Sequence, residues 1–262
     1  MNFYISQFVV WFLIFIRVMT MFGFAPVLSH GSVPAMTKVG LSILISYILF
    51  TAHGASPFTD VSAQLTLGSL VIFVVREVIV GLAIGYALTI VLAGIQFAGY
   101  LISSDMGLAM ANIFNPDLNE QVPVLSQLMN IIAMLVFLLI DGHLFLIESL
   151  KASFDVIPLA SVSGIFSQGF IQMMIQITAS VFVIAIKIAA PVMAAMFLTT
   201  IGLGILSRIV PQMQVFVFSM GLKVGVGLLM LTGTVPMYVF MIKKILVQFE
   251  GQTYTLLQLM RP

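Results

Sequence analysis

Long apolar runs, broken by short Gly-, Pro- and polar-rich stretches, make up almost the whole chain. They fall at roughly 3–28, 39–52, 67–102, 123–147, 171–205 and 213–242. Runs of this length exceed any strand and predict helices. The intervening loops are Ser29 to Lys38, His53 to Thr66, Ser103 to Val122, Pro158 to Gly169 and Ser207 to Gln212. Three charge-free windows, Val78 to Ser104, Gln121 to Ile140 and Val156 to Ile186, reach or exceed the ~20 residues that cross a bilayer. The pattern predicts an all-α membrane protein. Its segments are unequal: 67–102 as one helix is roughly 54 Å long against a ~30 Å hydrocarbon core. Residues 171–205 are similar and carry Pro191, whereas 39–52 is short. Long kinked hairpins fit these lengths better than a row of equal spans.

Composition supports the same class. Of 262 residues, 61% are hydrophobic and 7% charged, where a soluble domain has about a quarter charged. A net charge of +1 without a clustered basic face carries no nucleic-acid signature, and no nucleic-acid partner is expected. There is no cysteine, so disulfides and thiolate metal sites are excluded. The first basic residue is Arg17, so no basic leader precedes the first apolar run, which is expected to be retained. Its aromatic residues (Phe3, Tyr4, Phe8, Trp11, Phe12, Phe15) suit a membrane interface. Lysine and arginine are too sparse to set the topology, although Lys243 and Lys244 favour a cytoplasmic C-terminus.

Charges inside apolar runs narrow the picture. Arg17, Arg76, Glu77, Lys187 and Lys223 lie within them, and Arg208 lies at a break. A basic residue at a bilayer centre costs ~2.5–3.5 kcal/mol even on the lenient insertion scale. These side chains are therefore expected to face a partner subunit, an aqueous lumen or a region outside lipid. Neighbours in sequence, Arg76 and Glu77 cannot pair along one helix face and should each find another partner, with an intersubunit pair favoured for Glu77. Two small-xxx-small pairs, Gly81 with Gly85 and Gly221 with Gly225, are candidate sites of close helix contact.

Catalytic chemistry is not legible. His30, His53 and His143 are scattered, and no nucleophile elbow, phosphate loop or carboxylate pair occurs. Neither an enzyme nor a metal or other cofactor is expected. Asp141 and His143 flank Gly142, but residues two apart do not share a helix face, so a structural or interfacial role is favoured over proton transfer. Glu148, Lys151 and Asp155 share one face and read as a solvated stripe. The eighteen methionines are dispersed and read as ordinary packing. The most unusual stretch is Asp105 to Asp117, an apolar loop interrupted by Gly107, Asn112, Asn115 and Pro116. Apolar loops at membrane depth are tolerated when buried in protein or lining a cavity.

Taken in order, these landmarks resemble the FliR family of flagellar type III export-gate components and their injectisome counterparts. The resemblance rests on Arg17, Ala25-Pro26-Val27, Val33-Pro34, Arg76-Glu77, Gly81, Gly85 and Gly99. It continues through Met106-Gly107, Asp141-Gly142-His143, Ser153-Phe154, Pro158, Ala190-Pro191, Gly204 to Arg208, Pro211-Gln212, Phe216 and Lys223. Gln214 stands where the family pattern carries Asn, and Asn115-Pro116 where it carries Asp-Pro. The resemblance implies a structural subunit of an inner-membrane gate in the flagellar basal body. There it would be built with FliP and FliQ, with FlhB beside it, and would pass unfolded flagellar proteins. It further implies a FliP-like part, 1–175, and a FliQ-like hairpin, 176–262, joined near 165–185, in a gate raised largely out of the bilayer plane. By the same resemblance Met106, Gly107, Met110 and Phe114, in the loop near 105–120, would plug the closed pore. The alternative is an ion-coupled secondary transporter using Glu77, Asp141 or Lys187. Such proteins show repeated halves with broken helices, and no clear internal repeat is present here.

Overall fold

A computed structural model describes residues 2–25, 33–53, 67–108, 123–159, 167–210 and 215–260. Among these are seven helices and no strand: α1 Asn2–Phe24, α2 Ala35–His53, α3 Leu67–Asp105, α4 Val124–Leu139, α5 Gly142–Val156, α6 Gln168–Ile209 and α7 Val215–Leu259. The chain is all-α, as its pattern predicts. Five of these helices (α1, α2, α3, α6 and α7) are long and apolar enough to cross a membrane. At 1.5 Å per residue α3, α6 and α7 run to roughly 58, 63 and 67 Å, about twice a bilayer core. Both α6 and α7 stay helical through an internal proline, Pro191 and Pro236.

Three boundaries differ from the sequence reading. The apolar run at 123–147 is two helices, α4 and α5, because Asp141 takes a left-handed conformation (φ 59°) that ends one and precedes the next. Gly142 marks the place, yet the special backbone belongs to Asp141, whose short polar side chain tolerates that region. Helix α2 begins at Ala35, inside the expected loop. Helix α7 continues past 242 to Leu259, because Leu246, Phe249, Thr253, Leu256 and Leu257 are buried at helical spacing while Lys243, Lys244 and Val247 stay exposed. Charged residues there decorate an amphipathic helix instead of ending it.

The chain groups into two compact units that interleave along the sequence. One comprises residues 1–90, 141–178 and 247–262. Within it α1 packs on α2 and buries Leu13, Ile14, Val18, Met21 and Ala25. The α3 backbone comes against α1 at Gly81 and Gly85. A Cβ at Gly85 would lie 2.6 Å from the Met21 carbonyl oxygen, and one at Gly81 would overlap the Arg17 carbonyl and the Thr20 hydroxyl. Thr89 Oγ1 donates to the Phe24 carbonyl at 2.5 Å across the same seam. The start of α6 is capped by Ser167, which accepts from the Phe170 N–H at 3.2 Å and donates to the Leu259 carbonyl at 2.8 Å.

The other unit comprises residues 91–140 and 179–246. Here α3 again approaches its neighbours through glycine. Gly99 lies on the α4 backbone, with Ser126 Cα 2.7 Å from its would-be Cβ, and Gly94 lies on Ile184 of α6 at 3.0 Å. Phe97 and Phe182 meet edge to face with ring centroids 5.9 Å apart. Gly227 of α7 receives the Met106 side chain.

The seam generates a test. Gly85→Val should destabilise the subunit by ~1–3 kcal/mol, because backbone cannot yield as a flexible side chain can. Gly40→Ala, with open space around it, should be neutral or gain up to ~1 kcal/mol from helix propensity. Thermal unfolding in detergent of both variants distinguishes the two behaviours.

Candidate functional site

Three charged residues meet at one buried place. Arg17, seventeen residues into the chain on α1, is fully buried, as is Glu77 on α3, and Arg76 is 2% exposed. Arg17 Nε donates to Glu77 Oε2 at 2.5 Å. Its Nη1 donates to Ser153 Oγ at 3.0 Å and its Nη2 to the Ile157 carbonyl at 3.2 Å, both supplied by α5 and its C-cap. The guanidinium carbon also sits 4.1 Å from the centroid of the Phe154 ring.

Each contact follows from local structure. Ser153 and Ile157 are four apart and so share a face of α5. Ser153 is held in place because its hydroxyl donates to the Leu150 carbonyl at 2.6 Å. The Ile157 carbonyl belongs to the end of a helix, where carbonyls lack intrahelical donors and the dipole favours a cation. A planar guanidinium can serve an anion, a hydroxyl, a carbonyl and an aromatic face together, which an ammonium cannot. Arg76 adds a second positive charge that interacts with both Glu77 and Arg17. Glu77 Oε1 is buried with no hydrogen-bond partner among the described residues. The arrangement ties α1, α3 and α5 together and has no face open to solvent.

This differs from the sequence reading of Glu77, for which an intersubunit partner was favoured. Its partner is in the same chain, 60 residues away. That Glu77 needed a partner beyond its sequence neighbour was readable, although Arg76 does interact with it electrostatically. The identity of the answering residue was not, because it depends on how α1 lies on α3. Ser153, Phe154 and Ile157 received no role from sequence; their spacing on α5 was the available signal.

The other candidates are spread over the helices. Lys187 and Arg208 are exposed on α6, and Lys223 is half-buried on α7. Gly81 and Gly85 lie against α1, whereas Gly221 and Gly225 have nothing within 4 Å among the described residues. Met106 is fully buried and Gly107 has φ 80°, a left-handed turn at the end of α3. Met110 and Phe114 lie outside the described residues. Asp141 and His143 are exposed at the break between α4 and α5, and Glu148, Lys151 and Asp155 are exposed on α5. Among the described residues no three His, Cys, Asp or Glu side chains lie together as metal ligands would.

The cluster makes its own prediction. Arg17→Ala or Glu77→Ala should each cost ~3–5 kcal/mol by leaving the other charge buried. The triple variant Arg17→Leu/Arg76→Leu/Glu77→Leu should recover much of that loss, since apolar replacement removes every charge of the cluster at once, whereas Arg17→Leu/Glu77→Leu leaves Arg76 buried without its carboxylate. Protease resistance and thermal unfolding of the detergent-extracted subunit measure the cycle.

Comparison with known proteins places this architecture. The chain is 31% identical over 232 residues to the flagellar biosynthetic protein FliR of Bacillus subtilis (strain 168), covering 88% of each chain. It is 28% identical over 225 residues to FliR of Escherichia coli (strain K12), covering 85% of this chain and 82% of that one. To the Yop proteins translocation protein T of Yersinia pestis it is 29% identical over 218 residues, covering 82% and 81%. The match to the family described as bacterial export proteins, family 1, runs over residues 8–249. It takes in the buried Arg17–Glu77 cluster and all of the long helices but their ends, and the chain belongs to that family.

Proposed function

We propose that this chain is a non-enzymatic structural subunit of the flagellar type III protein export gate. In this reading it sits in the bacterial inner membrane as part of the flagellar basal body. It forms with FliP and FliQ, and beside FlhB, the channel through which unfolded flagellar subunits leave the cytoplasm. The observation that carries the reading is the relation to flagellar FliR over 88% of both chains. Helices twice the bilayer thickness support it, because a gate standing partly clear of lipid can use them and a simple bundle of spans cannot. The division into a FliP-like part, 1–175, and a FliQ-like hairpin, 176–262, belongs to the same proposal.

An ion-coupled transporter is the weaker reading. A coupling-ion site needs a carboxylate that water can reach. Glu77 is fully buried and engaged with Arg17, and the exposed Asp141 has no cluster of ligating side chains around it among the described residues.

In the resting gate the loop near 105–120 is assigned the plug, with Met106, Met110 and Phe114 as apolar bulk and Gly107 as its turn. Apolar side chains meeting in a narrow lumen exclude water and ions. Met106, seated on Gly227, would fix the base of that loop.

Two outcomes are expected. Affinity isolation of the tagged chain from gently solubilised membranes should recover FliP and FliQ with it, and a chain that elutes alone and protease-resistant would count against the assembly. Replacing Met110 and Phe114 with serine should let small ions leak through an assembled complex. Ion conductance with assembly checked in parallel reads this, and normal assembly without leak would remove the plug assignment.

A further inference from the structure

Helix α2 is turned inside out relative to a helix at a water surface, whose polar residues face outward. It packs on α1, and its buried side carries Ser42, Ser46 and Leu49. The opposite arc carries Ile43, Leu44, Tyr47 and Ile48, all exposed, with Leu44 at 58% and Tyr47 at 61%. Of the five helices that can cross a membrane, α2 buries the smallest share of its residues, 17%. Something apolar has to cover the outer arc, because water disfavours a patch of large apolar side chains.

The helix's hydroxyls make little demand on that cover. Ser42 Oγ donates to the Lys38 carbonyl at 2.7 Å, and Ser46 Oγ to the Ile43 carbonyl at 2.9 Å. Thr51, on the outer arc, donates to the Tyr47 and Ile48 carbonyls at 3.1 and 2.9 Å. Between Lys38 and His53 there is no Asp, Glu, Lys, Arg or His. Over that stretch the outer arc offers a neighbour no charge, and its remaining hydroxyl is that of Tyr47, about two turns from the His53 end, toward the interfacial zone where tyrosine is enriched.

Two apolar covers remain, lipid and another helix, and shape separates them. Helices meet in membranes through small residues. On its inner side α2 follows that rule, with Ser42 and Ser46 four apart and both fully buried. On the outer arc no two small residues stand at that spacing: Gly40 has Met36 before it and Leu44 after it. Length separates the covers as well. The 19 residues of α2 span roughly 28 Å against ~30 Å of hydrocarbon. Lys38 and His53 then lie near the ends, where headgroups would be.

We infer that the outer arc of α2, centred on Leu44 and Tyr47, is a lipid-contact surface, covered by the acyl chains of the bilayer and not by a partner subunit. Helix α2 thereby sets the depth of the subunit, with Leu44 near the middle of the hydrocarbon. The inference goes beyond the gate reading and does not need it, since it rests on this helix and its packing on α1.

The test exploits a chain without cysteine. Ile43→Cys, Leu44→Cys, Tyr47→Cys and Ile48→Cys, each carrying a nitroxide, are reconstituted with any co-purifying subunits into vesicles of phosphatidylethanolamine and phosphatidylglycerol. The cysteine-free parent measures the labelling of those subunits. At all four positions collisions with oxygen should rise and collisions with a water-soluble nickel chelate should be lost, most fully at Leu44. In a second measurement, Leu44→Trp in a Trp11→Phe background should lose fluorescence to lipids brominated far down the acyl chain, measured against the Trp11→Phe parent. Nitroxides immobilised and shielded from both reagents, or a Leu44→Trp signal that brominated chains leave unchanged, would put protein over the arc and overturn the inference. Nickel access at all four positions would put water there and overturn it equally. Failure to recover FliP and FliQ would instead sink the gate assignment, and oxygen access without nickel access would still support the lipid surface.

Discussion

A guanidinium with no exposed surface is tolerated among apolar helices only when its charge and its donors are answered. Arg17 meets that condition with a carboxylate from α3, and with a hydroxyl, a helix-end carbonyl and an aromatic face from α5. The condition is geometric as much as electrostatic. It requires that α1 approach α3 closely enough for a salt bridge 60 residues apart in sequence, and that α5 end where its last carbonyls reach the same group. Gly81, one turn from Glu77, is where α1 backbone touches α3 most closely. The close approach and the buried pair therefore depend on each other. A side chain at position 81 would meet the Arg17 carbonyl and push α1 away from α3, and removing one member of the pair would leave the other charge buried and unanswered. A pair like this contributes little net stability beyond an apolar substitute. Its effect is to make alternative registers of α1 on α3 costly.

Much of the fold was legible because membrane-type helices carry a strong signal. Apolar runs too long for strands located α1, α3, α6 and most of α7, and the charge drought set the class. The misread boundaries share one cause. At 123–147 the break lies in a backbone angle at Asp141, which composition barely marks. Beyond 242 a helix that trades a uniformly apolar face for an amphipathic one was read as an end. Hydrophobicity reports what an element faces more clearly than where it stops.

The site was legible by half. That Arg17, Arg76 and Glu77 needed partners followed from their surroundings. Which residue answered Glu77 did not follow, because pairing across 60 residues is set by tertiary packing. The glycines divide in the same way. Gly81 and Gly85 lie on α1 while Gly221 and Gly225 face open space, although the spacing is identical. A small-xxx-small pair states that close approach is possible, and the neighbouring helix decides whether it occurs. Gly94 and Gly99, whose partners at that spacing are Ala98 and Ser103 and not a second glycine, meet α6 and α4 more tightly than Gly221 and Gly225 meet anything among the described residues.

The charges separate into two kinds that sequence alone could not sort. Arg17, Arg76 and Glu77 are closed off inside one compact unit, and Lys187 and Arg208 are presented on the outside of the other. Inward charges among apolar residues fix the internal arrangement of a subunit. Outward ones do not: Lys187 and Arg208 can change without disturbing the packing of the unit that carries them, whereas Arg17 or Glu77 cannot change singly without leaving a buried charge unanswered. Burial, which the spacing of charges along a sequence does not report, is what divides them.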